Sequence, residues 1–345
     1  MLTLRCNRHR FDARALCQPL STRNGPSTAS TSFPTRTFFA PPPPPQSPKP
    51  SFIRASALSG SMILEQSAEI RTAAFASPLN AASAMSNRQL LGEADQLSRK
   101  VVLITGAASP PGRLLAMKVA SYGAKVVVGD EWAAGVDEVV GEIEAGGGIA
   151  TGLACNAADW ESQSRLFRHA IDMYGQLDAV VANASRRRGP KSLLDNSFDE
   201  DDEPSKPLLH SLHVDLVGSI YSAKLAFFHF HRNSTPGQKC FIAVGSLGSL
   251  IATPSFPLNS IAKHGVLGLC KNLHQDGALN GISVNFVAPL IPDSPHHVQL
   301  ASEQPTAVED VADAIIAAST HGMSGKAFFV DDKGVFSLPL ETTGL

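Results

Sequence analysis

The chain has 345 residues, with 29 basic and 31 acidic side chains and a formal net charge of −2. This near balance provides no overall attraction to nucleic acid or to anionic lipid, and no apolar run reaches the roughly 18 residues that a membrane span requires. The five cysteines form no C-x-x-C pair and no His/Cys group with metal-ligand spacing. We therefore expect reduced, packed thiols, no metal site, no nucleic acid partner and no membrane span.

The first 64 residues differ in composition from the rest of the chain. They contain one acid, Asp12, against seven arginines, with many Ser and Thr residues and an unbroken proline run at Pro41–Pro45. Too few apolar residues are available for a packed core, so we predict a disordered extension over residues 1–64. Its Arg-rich, Ser-rich and acid-poor composition is typical of a transit peptide, which predicts a mitochondrion or plastid, with the cytoplasm as the alternative. Residues 65–97 are predicted to be a loosely ordered lead-in.

From about residue 99 the apolar pattern becomes regular. Seven short apolar runs are typical of buried strands: Val101–Thr105, Lys125–Gly129, Thr151–Cys155, Leu177–Ala182, Cys240–Val244, Ser283–Val287 and Lys326–Val330. Stretches with helical period separate them, including Val136–Ile143, Trp160–Tyr174, Leu208–Phe230, Ser260–Leu279 and Val308–Ser319. This alternation predicts one α/β domain of the Rossmann type over residues 98–336, before a tail at 337–345. We expect a doubly wound sheet of seven parallel strands with helices on both faces, and a ligand site at the carboxyl ends of the strands.

The segment TGAASPPG closes the first predicted strand and opens a helix. A dinucleotide pyrophosphate binds at such a turn, where backbone amides meet the positive end of the helix dipole. The segment resembles the T-G-x-x-x-G-x-G motif of the short-chain dehydrogenase/reductase family, and the resemblance assigns Gly106, Ser109, Pro111 and Gly112 to the cofactor. The middle glycine of the motif is replaced by Pro110. Pro110 and Pro111 remove two N–H groups from the phosphate cradle, so we expect weak cofactor binding.

Further cofactor residues are expected after the other strands. Asp130 ends the second strand, where a carboxylate accepts the ribose hydroxyls of NAD and repels the 2′-phosphate of NADP; a solvated acid is the alternative. The resemblance implies that Asn156 faces the adenine, that Asn183 and Ala184 line the cofactor, and that Ser294 contacts the nicotinamide carboxamide. We therefore expect NAD, with NADP less favoured.

The catalytic residues are expected after the fifth strand and on the following helix. The family has a serine and, thirteen residues later, the motif Y-x-x-x-K; Ser246 and Lys263 match it, but Asn259 occupies the tyrosine position. In the family, the tyrosine moves the proton with its pKa lowered by the lysine, and the serine holds the substrate oxygen. Asp215 replaces the asparagine of the family's proton relay. An amide has no titratable proton near neutral pH, so a loss of about 10²–10⁴ in rate is expected.

Two routes for the proton remain open. Asp215 and Lys263 can relay it through water to Ser246, or a desolvated Lys263 can act itself. Two functions also remain open. The first is an NAD(P)-dependent oxidoreductase that interconverts a secondary alcohol and a ketone, with reduced or altered activity on a small-molecule substrate. The second is a catalytically inactive member of the family that binds a ligand or assembles with a related subunit.

Outside these motifs, the sequence is most similar to the NAD-dependent branch of the family that includes 15-hydroxyprostaglandin dehydrogenases. Trp160-Glu161-Ser162-Gln163 and Lys263-His264-Gly265-Val266 are examples of this similarity. The resemblance also implies a homo-oligomer, paired through the helices that carry Asp215 and Lys263.

Overall fold

The computed structural model of the chain describes residues 84–185, 198–199, 201–233, 235, 237–251, 256–289, 305–331 and 333–343. The predicted extension over residues 1–64 and the predicted cofactor residue Ser294 lie outside these ranges.

The described strands form one sheet in the order β3-β2-β1-β4-β5-β6-β7-β8. Neighbouring strands from β3 to β7 are parallel, and β8 is antiparallel to β7. The bounds are β1 (Val101–Thr105), β2 (Lys125–Asp130), β3 (Ile149–Ala154), β4 (Ala179–Ala182), β5 (Lys239–Val244), β6 (Ile282–Pro289), β7 (Lys326–Asp331) and β8 (Gly334–Pro339). The doubly wound α/β fold is thus confirmed. The prediction of seven strands differs by one, because the chain reverses after Asp331 in a tight hairpin and continues as β8 through the expected domain end at residue 336.

Helices cover both faces of this sheet. They are α1 (Asn87–Leu91), α2 (Gly112–Ser121), α3 (Ala133–Ala145), α4 (Trp160–Tyr174), α5 (Gly218–Arg232), α6 (Pro257–Leu279) and α7 (Pro305–Thr320). Alternate residues of a strand point to opposite faces. Accordingly, Val102 and Ile104 of β1 pack in one core with α2, α3 and α7, whereas Val101 and Leu103 pack in a second core with α4, α5 and α6.

The segment before β1 packs against the first of these cores. The sequence predicts a loosely ordered lead-in, whereas Ser86 caps α1 in a capping box and Leu90 and Leu97 are buried with residues of α7. The backbone N–H of Met85 also donates to the carbonyl of Val335 in β8, at 2.7 Å. The residues from Ser86 onward are therefore part of the folded domain, because their apolar side chains complete the core beside α7.

Leu97→Ala tests this packing. We expect the free energy of unfolding to fall by about 2–5 kcal/mol, because truncation of a buried leucine removes apolar contacts and leaves a cavity. The matched control is Gln96→Ala at the neighbouring exposed position, which should have little effect. Urea unfolding measures both. Equal stabilities of the two variants would show that this segment does not support the domain.

Candidate functional site

The loop after β1 lies against the loop after β4, at the point where the strand order reverses. Gly106 has a φ of +66°, and a Cβ atom there would lie 2.7 Å from the Cα atom of Ala184. The side-chain amide of Asn183 donates to the carbonyl of Gly106 at 2.8 Å, and the hydroxyl of Thr105 accepts the N–H of Ala184 at 3.3 Å. A glycine is therefore required at 106, because this loop is in direct contact with Asn183 and Ala184.

Helix α2 begins directly after the proline pair. The N–H of Arg113 donates to the carbonyl of Ser109 and the N–H of Leu115 to that of Pro111, so the first turn forms without proline donors. A Cβ atom on Gly112 would lie 2.2 Å from the carbonyl oxygen of Gly106, which explains why this position is glycine. The helix therefore forms despite both prolines, but neither proline has an N–H to offer to a phosphate.

Asp130 connects the end of β2 to the loop after β1. Its Oδ2 atom accepts the N–H of Ala108 at 2.9 Å, and its Oδ1 atom accepts the N–H of Trp132 at 3.0 Å. Asp130 is therefore held by backbone donors and is not a freely solvated acid. A carboxylate has about four lone-pair sites, so both oxygens keep acceptor capacity for ribose hydroxyls.

Asn156 lies in an exposed turn between β3 and α4. Its side-chain oxygen accepts the N–H of Ala158 at 3.0 Å, and its own N–H donates to the hydroxyl of Ser162 at 3.1 Å. The side-chain oxygen thus stabilises the turn. The predicted contact with adenine would therefore be made by the side-chain NH₂ group of Asn156.

Asp215, Asn259 and Lys263 converge in one buried cluster. Asp215 is 1% exposed and lies in the π-helical turn Leu212–Val217, which leads into α5; Lys263, on α6, is 5% exposed. The Nζ atom of Lys263 lies 3.3 Å from Oδ2 of Asp215, and the amide of Asn259 donates to the same oxygen at 3.5 Å. Short π-helical segments are frequent at functional sites, because the wider turn redirects a side chain.

Ser185 joins this cluster, although sequence reasoning assigned it no role there. Its hydroxyl donates to Oδ2 of Asp215 at 3.0 Å. The sequence signal for this role is the serine directly after Asn183-Ala184, at a position where the family has a glycine. A hydroxyl at that position supplies the carboxylate with a further donor.

Ser246 is placed at the carboxyl end of β5, next to the start of α6. Its hydroxyl accepts the N–H of Gly248 at 3.1 Å, and its N–H donates to the hydroxyl of Ser249 at 3.2 Å. The hydroxyl of Ser260 on α6 donates to the carbonyl of Gly248 at 3.3 Å, which fixes this turn against the helix. The hydroxyl hydrogen of Ser246 remains free to donate elsewhere.

The described cysteines are inert packing residues. Burial raises the pKa of the Cys155 thiol to about 11 and those of Cys240 and Cys270 to about 12. Thiols in this state are neither nucleophiles nor metal ligands at neutral pH. Within the described ranges, no three His, Cys, Asp or Glu residues are grouped so that they could hold a metal ion, and no helix is long and apolar enough to cross a membrane.

Sequence comparisons identify related enzymes. The family model for short chain dehydrogenase matches residues 100–305. Peroxisomal multifunctional enzyme type 2 of Mus musculus is 31% identical over 199 residues, which are 55% of this chain and 25% of that enzyme. The chain thus spans a quarter of the length of the mouse relative. Cis-4-hydroxycyclohexanecarboxylate dehydrogenase of Sinomonas cyclohexanicum is 32% identical over 214 residues, 59% of this chain and 77% of that enzyme.

A solved structure shares the fold. It is the crystal structure of a chain from Burkholderia xenovorans described as a short-chain dehydrogenase/reductase, with a TM-score of 0.58 and 21% identity. The match covers 68% of this chain and 96% of that chain. At this level of identity the likeness concerns the fold alone.

Proposed function

Because the chain belongs to the short-chain dehydrogenase family, we propose that it is an oxidoreductase that interconverts a small secondary alcohol and a ketone with NAD, at a reduced rate. The observation that carries the proposal is the position of Ser246 and Lys263. Both lie beyond the carboxyl ends of the strands, on the turn and helix that follow β5. This is the edge of a doubly wound sheet at which ligands bind.

The loops at this edge fit a dinucleotide. The loop after β1 packs directly on the loop after β4, at the switch point of the sheet where a dinucleotide would bind. Asp130 would accept the ribose hydroxyls, and its charge disfavours a 2′-phosphate, which supports NAD over NADP. Asn156, Asn183 and Lys263 would complete the contacts. The two prolines weaken the phosphate cradle, because each lost bond to a charged group costs about 1.5–3 kcal/mol.

The described side chains would position the substrate well but offer no simple group to move its proton. When bound, a nicotinamide would accept or donate the hydride. The hydroxyl of Ser246 would hold the substrate oxygen, and the amide of Asn259 could orient it, but neither can take up the proton near neutral pH. Lys263 contacts Asp215 and, as an ammonium, has no lone pair with which to accept a proton. The route that remains is a relay from Ser246 through water to this pair.

Turnover of the parent chain tests the function. With NAD⁺ and a panel of secondary alcohols, we expect slow NADH formation, reduced about tenfold or more by Ser246→Ala, because a hydrogen bond to the developing charge is lost. Ser121→Ala, on the exposed end of α2, is the matched control and should keep the parent rate. NADH formation no faster than in buffer would contradict the proposal and favour the second function.

The second function is an inactive family member that binds a ligand or assembles with a partner. Asn259 favours it, because it removes the acid–base group while the core and the fold are intact. Apolar side chains on α5 and α6 support association with a second copy or a related subunit: Ile220, Phe228 and Ile261 are 42%, 49% and 50% exposed. Sedimentation velocity tests this association, and a single species of monomer mass at micromolar concentration would contradict self-association.

A further inference from the structure

One oxygen atom of Asp215 gathers three donors from two separate parts of the chain, the loop after β4 and helix α6. Its Oδ2 atom receives the hydroxyl of Ser185, the amide of Asn259 and the ammonium of Lys263, at 3.0, 3.5 and 3.3 Å. The hydroxyl of Ser219 donates to the backbone carbonyl of Asp215 at 2.6 Å, which fixes the π-helical turn. The carboxylate is therefore held in place from its side chain and from its backbone.

The pair of Asp215 and Lys263 is almost fully removed from water. Their side chains are 0% and 6% exposed. A buried ammonium is costly unless an anion lies nearby, and in this cluster Asp215 supplies that anion. In the part of the chain that the structure describes, nearby titratable groups are exposed or engaged elsewhere. His213 and His264 are exposed, Lys239 pairs with Asp178 at the start of β5, and Lys271 bonds Thr343.

Among the described side chains of this cluster, the cation of Lys263 offsets the anion of Asp215. A second anion in the same cluster would have to be desolvated without a counter-charge and would also be repelled by the first. The acid–base group expected in this family is a tyrosine at position 259, and its anionic form would be that second anion.

We propose that Asp215 is a positioning residue that acts as the counter-ion of Lys263. It neutralises the positive charge with which this lysine would otherwise activate an acid–base group at position 259. The inference rests on the proposed function in one respect, which is that Lys263 is taken to be the lysine that assists proton transfer. It follows that replacement of Asn259 alone does not rebuild a low-pKa proton donor. Asp215 and Asn259 have to be changed together.

The pKa of a phenol introduced at position 259 measures directly whether Asp215 neutralises Lys263. In the Asn259→Tyr variant, the phenol faces a pair that is already neutral overall, so we expect its pKa to stay at or above the ordinary value of about 10. In the Asp215→Asn/Asn259→Tyr variant, the phenolate becomes the counter-ion of Lys263. An opposite charge at this range lowers a pKa by about 1–3 units.

The experiment is a spectrophotometric titration of tyrosinate in the full-length chain, without cofactor or substrate. Tyr122, Tyr174 and Tyr221 give the background, which is subtracted with the parent chain and with Asp215→Asn. Circular dichroism checks that each variant is folded over the titrated range. The expected result is one new phenol that titrates at distinctly lower pH in the double variant than in Asn259→Tyr, with Asp215→Glu/Asn259→Tyr behaving like the single variant because it keeps the charge.

Two outcomes would overturn the inference. One is a new phenol that titrates at the same pH in the single and double variants. The other is a phenol well below its ordinary pKa in Asn259→Tyr itself, a measurement that does not require the double variant to fold. Because the titration involves no cofactor, its failure leaves the proposed function standing, and an absence of turnover in the parent chain leaves the titration interpretable.

Discussion

The Asp215→Asn/Asn259→Tyr variant is expected to oxidise secondary alcohols about 10²–10⁴ times faster than the parent chain at saturating NAD⁺, since this is the usual contribution of general acid–base catalysis. The parent chain has the hydroxyl of Ser246, which we propose holds the substrate oxygen, but an amide at position 259, where the family has its proton-transferring tyrosine. The double change supplies a phenol and leaves Lys263 free to stabilise its anion. Initial rates of NADH formation with the alcohol panel measure the gain.

The single variants separate the two contributions. Asn259→Tyr alone should gain far less than the double variant, because Asp215 still neutralises Lys263. Asn259→Phe, combined with Asp215→Asn, provides the same bulk without the hydroxyl and should gain nothing. If the phenylalanine variant were as fast as the tyrosine variant, the improvement would come from packing and the explanation by proton transfer would be wrong.

Lys263→Met is expected to lower the free energy of unfolding by about 3–5 kcal/mol, because it leaves the buried carboxylate of Asp215 without its cation. The neutral donors Ser185 and Asn259 still reach that carboxylate, but neutral donors do not replace a full charge. Replacement of both charges, as Asp215→Leu/Lys263→Met, should recover most of the loss, because apolar side chains of similar size are often tolerated in place of a buried pair. Urea unfolding with two optical probes measures these differences.

Lys224→Met is the matched control, because Lys224 is an exposed lysine on α5. Its replacement should change stability by no more than about 0.5 kcal/mol. If Lys263→Met lowered the free energy of unfolding as little as the control, the ion pair between Asp215 and Lys263 would contribute nothing to stability. A double variant no more stable than Lys263→Met would show that the cost comes from lost packing and not from the unpaired charge.

Those parts of the fold that depend on local sequence are predictable. The strand Val101–Thr105 is buried on both faces, and such strands are recognisable as continuous apolar runs. Helix α4 has the predicted bounds, Trp160–Tyr174, because both ends carry signals in the sequence: Asp159 caps the first turn, and Gly175 ends the helix with a φ of +73°.

Features that depend on distant partners are not predictable in this way. Helix α1 is only five residues long, too short to show a period, and its burial requires α7, more than 200 residues later. Strand β8 exists as an edge strand because β7 is there to pair with it. At the site, the strand-end positions of Asp130, Asn183 and Ser246 follow from the strand pattern. The shared contacts of Asp215 with Ser185 and Asn259 do not, because they join residues 30 and 44 positions apart.

Calorimetric titration of the full-length chain with NADH tests most directly whether this site holds a dinucleotide. We predict saturable binding to the parent chain, weakened about tenfold or more by Asp130→Ala, because a charged acceptor for the ribose is lost. Pro110→Gly/Pro111→Ile should bind more tightly than the parent chain, because it restores backbone donors to the phosphate cradle. An absence of binding heat at millimolar NADH in the folded parent chain, or an affinity that Asp130→Ala leaves unchanged, would contradict the assignment of this site to NAD.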